Sequence, residues 1–140
     1  LEMCEEVARR ARTRRHRCRT VSLSIGYSHD EGGGGFSRAR TMEEATNITM
    51  DIYRVCLELF EEFYEGRTVR QIAVRLSNVD PADMLQLSLF EPQRWRRREL
   101  GYAVDRIRRR YGSGSLLRAV SYTNGGTARR RVQLIGGHKA

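Results

Sequence analysis

Apolar and polar residues alternate in three short segments of the chain, as they do in strands that have one buried face. The pattern is cleanest in residues 20–27, and it returns in residues 36–42 and 69–77. The glycine-rich residues 28–35 are expected to form a mobile hairpin connection between the first two strands. The residues predicted to face inward are Val21, Leu23, Ile25, Tyr27, Ile72, Val74 and Leu76.

Two other segments carry apolar residues at every third or fourth position, which is the spacing of a helix with one buried face. The first covers residues 1 to about 15. The second is predicted to begin at Thr41, to carry Glu43 and Glu44 in its first turn, and to stop at Gly66. Its apolar stripe is Ile48, Ile52, Val55, Leu59 and Phe63, widened by Tyr53, Leu57, Phe60 and Tyr64.

The order helix, strand, strand, helix, strand predicts an α+β fold, with two helices covering one face of an antiparallel sheet. A basic helix is predicted for residues 94–111, and its apolar stripe is Leu100, Val104, Ile107 and Tyr111. We therefore expect a domain in residues 1–79, a linker in residues 80–93 and a basic extension in residues 94–140.

The sheet face that points away from the helices is predicted to be polar. We assign to it Ser22, Ser24, Arg38, Arg40, Arg75 and Ser77. Aligned arginines and hydroxyls suit the phosphate oxygens of a nucleic-acid backbone, which carry no sequence information. The basic residues 12–19 have two interpretations, a solvated helix end or further contacts with phosphates.

A five-residue apolar segment, Gln-Leu-Ser-Leu-Phe, lies in the predicted linker and is called here the QLSLF segment (residues 86–90). Three large apolar side chains on a polar linker are poorly placed for a core and well placed to enter the groove of another protein. The simpler interpretation is a short strand, because Leu87 and Leu89 alternate with Gln86, Ser88 and Phe90.

Composition adds a strong charge asymmetry. The chain of 140 residues has a formal net charge of +9, and Lys139 is its one lysine. Residues 1–93 hold 13 arginines against 15 acids, whereas residues 94–140 hold 13 basic residues against two acids. An acidic partner is therefore expected, and nucleic acid is the commonest one.

Other classes of function fit the sequence poorly. Three separated cysteines and three histidines do not form the spacing of a zinc site, so reduced, structural cysteines are expected. The glycine run lacks the G-K-[ST] ending of a phosphate-binding loop. No apolar run has the length of a membrane span, and the chain, which starts at Leu1 inside a predicted helix, is expected to be a piece of a longer protein.

Taken together, these segments resemble the little-finger domain of Y-family translesion DNA polymerases, particularly the bacterial UmuC type. Residues 37–41 (Ser-Arg-Ala-Arg-Thr) look like the family strand whose arginines meet template phosphates. Residues 69–77 look like its final strand, and the QLSLF segment looks like the bacterial sliding-clamp motif Q-L-x-L-F. The basic extension is similar to the C-terminal extension of the family's Gram-positive branch, chiefly in residues 116–119 (Leu-Leu-Arg-Ala) and 134–138 (Leu-Ile-Gly-Gly-His).

The resemblance implies a DNA-gripping and clamp-docking portion of an error-prone polymerase that acts in DNA repair in the bacterial cytoplasm. Its partners would be damaged double-stranded primer–template DNA and the sliding clamp, and no membrane. Gln86, Leu87, Leu89 and Phe90 would bind the clamp. No cofactor is expected here, because the carboxylates that hold Mg²⁺ for nucleotidyl transfer belong to the family's palm, which these residues lack.

One departure from the family is structural. The little finger has four strands, and its first strand precedes the first helix, where this chain begins. An unpaired sheet edge would favour strand exchange between copies or dimers in a crystal.

The sequence leaves two alternative functions. A stand-alone nucleic-acid-binding adaptor would depend mainly on the basic extension rather than on the sheet. A small hydrolase or transferase fits worse, because no histidine or cysteine stands beside a plausible base and the acids lie on helix faces.

Overall fold

The computed structural model describes residues 1–82 and 92–129. The chain divides into two compact units near residues 89 and 90. The elements of the first unit are α1 (Glu2–Thr13), β1 (His16–Tyr27), β2 (Gly35–Thr46), α2 (Thr49–Phe63) and β3 (Val69–Pro81). The second unit contains α3 (Pro92–Tyr111), a basic helix as predicted, and a short 3-10 turn at Ala119–Tyr122.

The predicted α+β class is confirmed. The three strands form an antiparallel sheet in the order β2-β1-β3, so β1 is the central strand and is paired on both sides. Alternate residues of β1 point to opposite faces of the sheet. The apolar set predicted from this strand, Val21, Leu23, Ile25 and Tyr27, is buried.

The core lies between this face of the sheet and the two helices. Ile52 and Leu59 of α2 and Ala8 of α1 are fully buried in it. The helices also contact each other through two buried thiols, since the Sγ atoms of Cys4 and Cys56 are 3.8 Å apart. Burial of this apolar surface is the main term that holds the helices on the sheet.

The predicted start of the second helix was wrong. Residues 42–46 continue β2, and α2 begins at Thr49 rather than at Thr41. The Thr46 hydroxyl oxygen accepts a hydrogen bond from the Ile48 amide at 3.1 Å and lies 2.8 Å from the Asp51 carboxylate. These contacts join the end of β2 to the first turn of α2, and Glu43 and Glu44 belong to the strand rather than to the helix.

The periphery of the core is also more open than the apolar pattern predicted. Leu57 of α2 is exposed, as are Tyr64, which follows the end of α2, and Ile72 of β3. Ile72 lies opposite the buried Ile25 on β3, and among the described residues a strand neighbours β3 on one side only. Among the described helices, none is long and apolar enough to cross a membrane.

Candidate nucleic-acid interface

Strand register decides which side chains share the sheet face opposite the helices. Ser22 lies directly opposite Arg75, and Thr20 lies opposite Ser77. Directly opposed residues of antiparallel strands project to the same face. The structure therefore brings Ser22, Ser24, Arg75 and Ser77 together on this surface, which is called the open face from here on.

Arg38 and Arg40 do not lie on the open face, contrary to the prediction. They are opposite Leu23 and Val21, whose side chains are buried under the helices. Both arginines therefore project to the helix-covered side of the sheet. They lie on an edge strand, where long side chains can reach water past the core.

Contacts with α2 occupy these two arginines. The Nη1 atom of Arg40 donates to the Glu58 carboxylate at 2.7 Å, and its Nη2 atom donates to Glu62 at 2.6 Å. The hydrogen bond to Glu58 raises the pKa of the Arg40 guanidinium, and the neighbouring Glu62 charge adds to the effect. The guanidinium carbon of Arg38 is 4.9 Å from the centre of the Phe63 ring, a cation–π distance.

Three further hydroxyls complete the open face, and the sequence analysis missed them. Thr41 and Ser37 of β2 lie opposite Thr20 and Ser24. Their side-chain oxygens are 2.9 Å apart in the Thr20–Thr41 pair and 2.8 Å apart in the Ser24–Ser37 pair. The signal was available in the sequence: Phe36 and Met42 have the same parity as Arg38 and Arg40, so the odd-numbered residues of β2 are those on the open face.

The basic residues 12–19 divide between structural and exposed positions. Arg12 is buried, and its guanidinium donates to the Asn47 carbonyl oxygen at 2.8 Å. Arg19 of β1 is exposed and links the two flanking strands. Its guanidinium donates to the Glu43 carbonyl oxygen of β2 at 3.0 Å and to the Asp80 carboxylate of β3 at 3.3 Å. Arg12 thus joins α1 to the start of α2, so it is no phosphate contact.

Side chains fasten the loop that was expected to be mobile. The Glu31 carboxylate accepts hydrogen bonds from the amide and the hydroxyl of Thr68 at 2.7 and 2.6 Å. Arg67 lies over the Tyr27 ring at 4.6 Å and donates to the carbonyl oxygens of Glu31 and Gly33. The hydrogen bond from the Thr68 hydroxyl lowers the pKa of Glu31, and the one from its amide adds to the shift.

The glycine run is explained by the backbone of this loop. Gly32, Gly33 and Gly34 have φ angles of 83°, 63° and 86°. Three successive left-handed residues are accessible to glycine and costly for other residues. The run is therefore needed by the turn between β1 and β2.

Comparison with known families agrees with this architecture. The model of the impB/mucB/samB family C-terminal domain matches residues 1–89. The chain belongs to this family. The resemblance to UmuC-type polymerases that residues 37–41 and 69–77 suggested is thereby confirmed, and the matched region contains all three strands of the sheet.

Individual relatives are named as a DNA-repair protein and as a DNA polymerase. The chain is 59% identical, over all of its length, to a putative UV-damage repair protein UvrX of Bacillus subtilis, of which it covers 34%. It is 39% identical over 99% of its length to DNA polymerase IV 2 of Halalkalibacterium halodurans, again covering 34% of that protein. The chain therefore spans about a third of the length of these curated relatives.

Two predicted features concern other parts of the chain. Gln86, Leu87, Leu89 and Phe90 lie outside the described residues. Within residues 1–82 and 92–129, no three His, Cys, Asp or Glu side chains are grouped so as to hold a metal ion.

Proposed function

We propose that the chain is the DNA-binding and clamp-docking portion of an error-prone translesion DNA polymerase. Membership of the impB/mucB/samB family and the name DNA polymerase IV 2 among its relatives support this proposal. Damaged primer–template DNA would be the nucleic-acid partner. Nucleotidyl transfer and its Mg²⁺ would belong to other parts of a longer cytoplasmic enzyme.

The open face is the surface that we propose for DNA. It presents hydroxyls from all three strands around one exposed guanidinium, that of Arg75. Hydroxyls and arginines are the side chains that commonly donate to phosphate and sugar oxygens, and such contacts fix orientation without reading bases. This indifference to base identity suits an enzyme that must continue across a damaged template.

Arg75 and Arg40 receive different roles in this proposal. The Arg40 guanidinium already has two carboxylates as hydrogen-bond partners, so a phosphate would have to displace them. Arg75 lies beside Ser22 on the open face. We therefore assign the principal phosphate contact to Arg75, with Ser22, Ser24 and Ser77 as further donors. Arg38 and Arg40 are assigned to holding β2 against α2.

The test is the affinity of the chain for a fluorescent primer–template, measured by anisotropy at several salt concentrations. We expect Arg75→Ala to weaken binding about tenfold and to reduce the slope of log K against log salt by about one. Arg40→Ala removes the same charge from the other face and is the matched control, with an expected change below twofold. Equal losses for the two variants would contradict the assignment to the open face.

Clamp docking is the second part of the proposal. Leu87, Leu89 and Phe90 would fill an apolar groove of the bacterial sliding clamp, while Gln86 would hydrogen-bond at the rim of the groove. Tethering of this kind raises the local concentration of polymerase at the primer end without tight DNA binding. We expect Leu89→Ala with Phe90→Ala to abolish clamp binding and to leave DNA affinity nearly unchanged. Retained clamp binding would refute this assignment.

Deleting residues 94–140 distinguishes this proposal from the alternative function, a stand-alone nucleic-acid-binding adaptor. If the basic extension carried the DNA affinity, removing residues 94–140 would abolish binding and Arg75→Ala would have little effect. We expect Arg75→Ala to reduce DNA affinity more than the deletion of residues 94–140 does. The two outcomes are read from the same anisotropy titration.

A further strand is proposed for the outer edge of β3. Ile72 and Val79 on this edge strand are 51% and 49% exposed. Two half-covered apolar side chains on an edge that no described strand pairs with favour the addition of a strand. The strand would come from another segment of the protein or, as an exchanged strand, from a second copy. Sedimentation of the chain over a range of concentrations separates the two sources, because only the second gives dimers.

A further inference from the structure

Two of the three cysteines meet in the contact between the two helices of the first unit. The Sγ atoms of Cys4 of α1 and Cys56 of α2 are 3.8 Å apart, and the two residues are 2% and 6% exposed. Both are free cysteines. When one sulfur of such a pair is oxidised, a second sulfur is already within reach of it.

The packing of α1 brings these sulfurs together. Cys4, Ala8 and Arg12 are four residues apart, so they lie on one line along α1, and all three are buried. The Arg12 guanidinium donates to the Asn47 carbonyl oxygen just before α2, which fixes one end of this line. The small side chains of Ala8 and Cys4 allow the helices to approach closely along the rest of it. The cysteine pair thus lies at the other end of the same helix contact.

The two thiols differ in acidity. The hydrogen bond between them lowers the pKa of Cys4, although burial opposes this shift. The pKa of Cys56 is raised, by the same hydrogen bond and by burial. The thiolate is the form of cysteine that reacts with oxidants. Cys4 is therefore expected to react first, and Cys56 to complete the bond.

We propose that Cys4 and Cys56 form an oxidation site, at which hydrogen peroxide converts the two thiols to a disulfide that joins α1 to α2. An S–S bond is about 2 Å long, so the sulfurs must approach each other by about 1.8 Å. Rotation about χ1 at the two cysteines moves a sulfur by this distance, so the helices need not separate when the bond forms. The site is on the helix-covered side of the sheet and is separate from the open face.

The reaction consumes one molecule of peroxide in two steps. The Cys4 thiolate attacks one peroxide oxygen, the O–O bond breaks, and a sulfenic acid and a hydroxide ion are formed. The Cys56 sulfur then attacks the Cys4 sulfur, and the S–O bond breaks with release of water, which takes the Cys56 proton. The hydroxide takes the proton that Cys4 had released. Two thiols thus lose two electrons in all, and one peroxide becomes two waters.

The disulfide would enclose the central part of the sheet. Cys4 and Cys56 are 52 positions apart in the chain, and β1 and β2 lie between them. A link between distant positions restricts the unfolded chain and so favours the folded one, more strongly for longer loops. Oxidation at this site should therefore stabilise the domain. Oxidation of a buried thiol to a sulfinic acid would do the opposite, because it places a charged group in the core.

The third cysteine serves as a control. Cys18 is buried on β1, and its thiol donates to the Thr46 carbonyl oxygen at 3.3 Å. Burial raises the pKa of Cys18 to about 11, so little of it is thiolate near neutral pH. Cys18→Ala leaves Cys4 and Cys56 as the two cysteines of the chain, so that their oxidation is measured without interference.

The test is treatment of the folded chain with peroxide, followed by unfolding, titration of free thiols and mass spectrometry of the linked peptides. Peroxide reaches covered thiols when the helices open locally, so oxidation is followed over hours. We expect Cys18→Ala to pass from two free thiols to none as a monomer that has lost two hydrogen atoms. Its melting temperature should rise by about 10 °C above that of its own reduced form, and dithiothreitol should reverse both changes. Cys4→Ala and Cys56→Ala are the matched controls, which should gain neither the link nor the stability.

Three results would overturn the proposal. The first is that folded Cys18→Ala keeps both thiols under peroxide that oxidises the same variant in denaturant. The second is a gain of oxygen without a link, or a link between two copies of the chain. The third is a Cys4–Cys56 link that leaves the melting temperature unchanged or lowers it. Because the link is detected directly in Cys18→Ala, none of these readings requires the other two variants to fold.

Discussion

The two faces of the three-stranded sheet use the same residue type in different ways. On the helix-covered face, Arg40 of β2 bridges Glu58 and Glu62 of α2, within 2.7 Å of each. On the open face, Arg75 of β3 lies among hydroxyls and is exposed. The contacts of an arginine in this sheet thus depend on the face to which its strand position directs it and on the residues that lie opposite, rather than on its neighbours in the sequence.

The comparison also separates stability from binding. The helix-covered face contains the buried core, while the open face contains small polar side chains whose hydroxyls pair across strands. Changes on the first face should therefore act mainly on the free energy of unfolding. Changes on the second should act mainly on the proposed affinity for DNA.

The largest expected effect comes from the core. Ile52 is fully buried, so Ile52→Ala should lower the free energy of unfolding by about 3 to 4 kcal/mol. Ile72→Ala removes the same atoms from a side chain that is 51% exposed, and it should cost about 1 kcal/mol or less. Chemical denaturation measures both. Similar costs would mean that β3 is covered on its outer edge.

Part of this organisation follows from the sequence alone. The alternation in β1 identified Val21, Leu23 and Ile25 as the inner set, because a central strand is buried on one face along its whole length. The same reasoning failed for Ile72, which lies on an edge. An edge position depends on the strand order, and local alternation does not contain that order.

The start of α2 could not be predicted from the local sequence, for a different reason. Glu43 and Glu44 after Thr41 are typical of a first helical turn, yet the helix begins at Thr49. The start is fixed by contacts distant in sequence: the Asn47 side chain donates to the His16 carbonyl oxygen, and Arg12 donates to the Asn47 carbonyl oxygen. Tertiary hydrogen bonds of this kind override local preference.

The assignment of site residues shows a similar limit. Ser22 and Ser24 were correctly placed together because β1 alternates cleanly. The predicted face of Arg38 and Arg40 was wrong, although Phe36 and Met42, which pack against the core, share their parity. An arginine on an edge strand can project to the core side of the sheet and still reach water. Strand parity is therefore better evidence than side-chain polarity for the face on which a residue lies.

A smaller effect is expected from pH on the core side. Cys18 is buried beside the Thr46 carbonyl oxygen, and burial raises the pKa of its thiol to about 11 from an ordinary value near 9. A raised pKa in the folded state means stability that is present below pH 9 and lost as the pH rises through 11. Roughly 2 to 3 kcal/mol should disappear over this window.

The control for this effect is Cys18→Ala, which has no thiol to ionise. Denaturation of both proteins between pH 8 and 11 should show a steeper loss of stability for the unaltered chain. Parallel curves would mean that water reaches the thiol in the folded protein.

The smallest effect concerns the ion pairs of Arg40 themselves. The three side chains are 38%, 46% and 50% exposed, so solvent and salt screen their attraction. Arg40→Gln should lower the melting temperature slightly at low salt, and the difference from the unaltered chain should shrink in 1 M NaCl. Arg75→Gln should leave the melting temperature unchanged at either salt concentration, because its guanidinium is assigned to DNA rather than to the fold. If Arg75→Gln destabilised the chain as much as Arg40→Gln does, the functional distinction between the two faces would be lost.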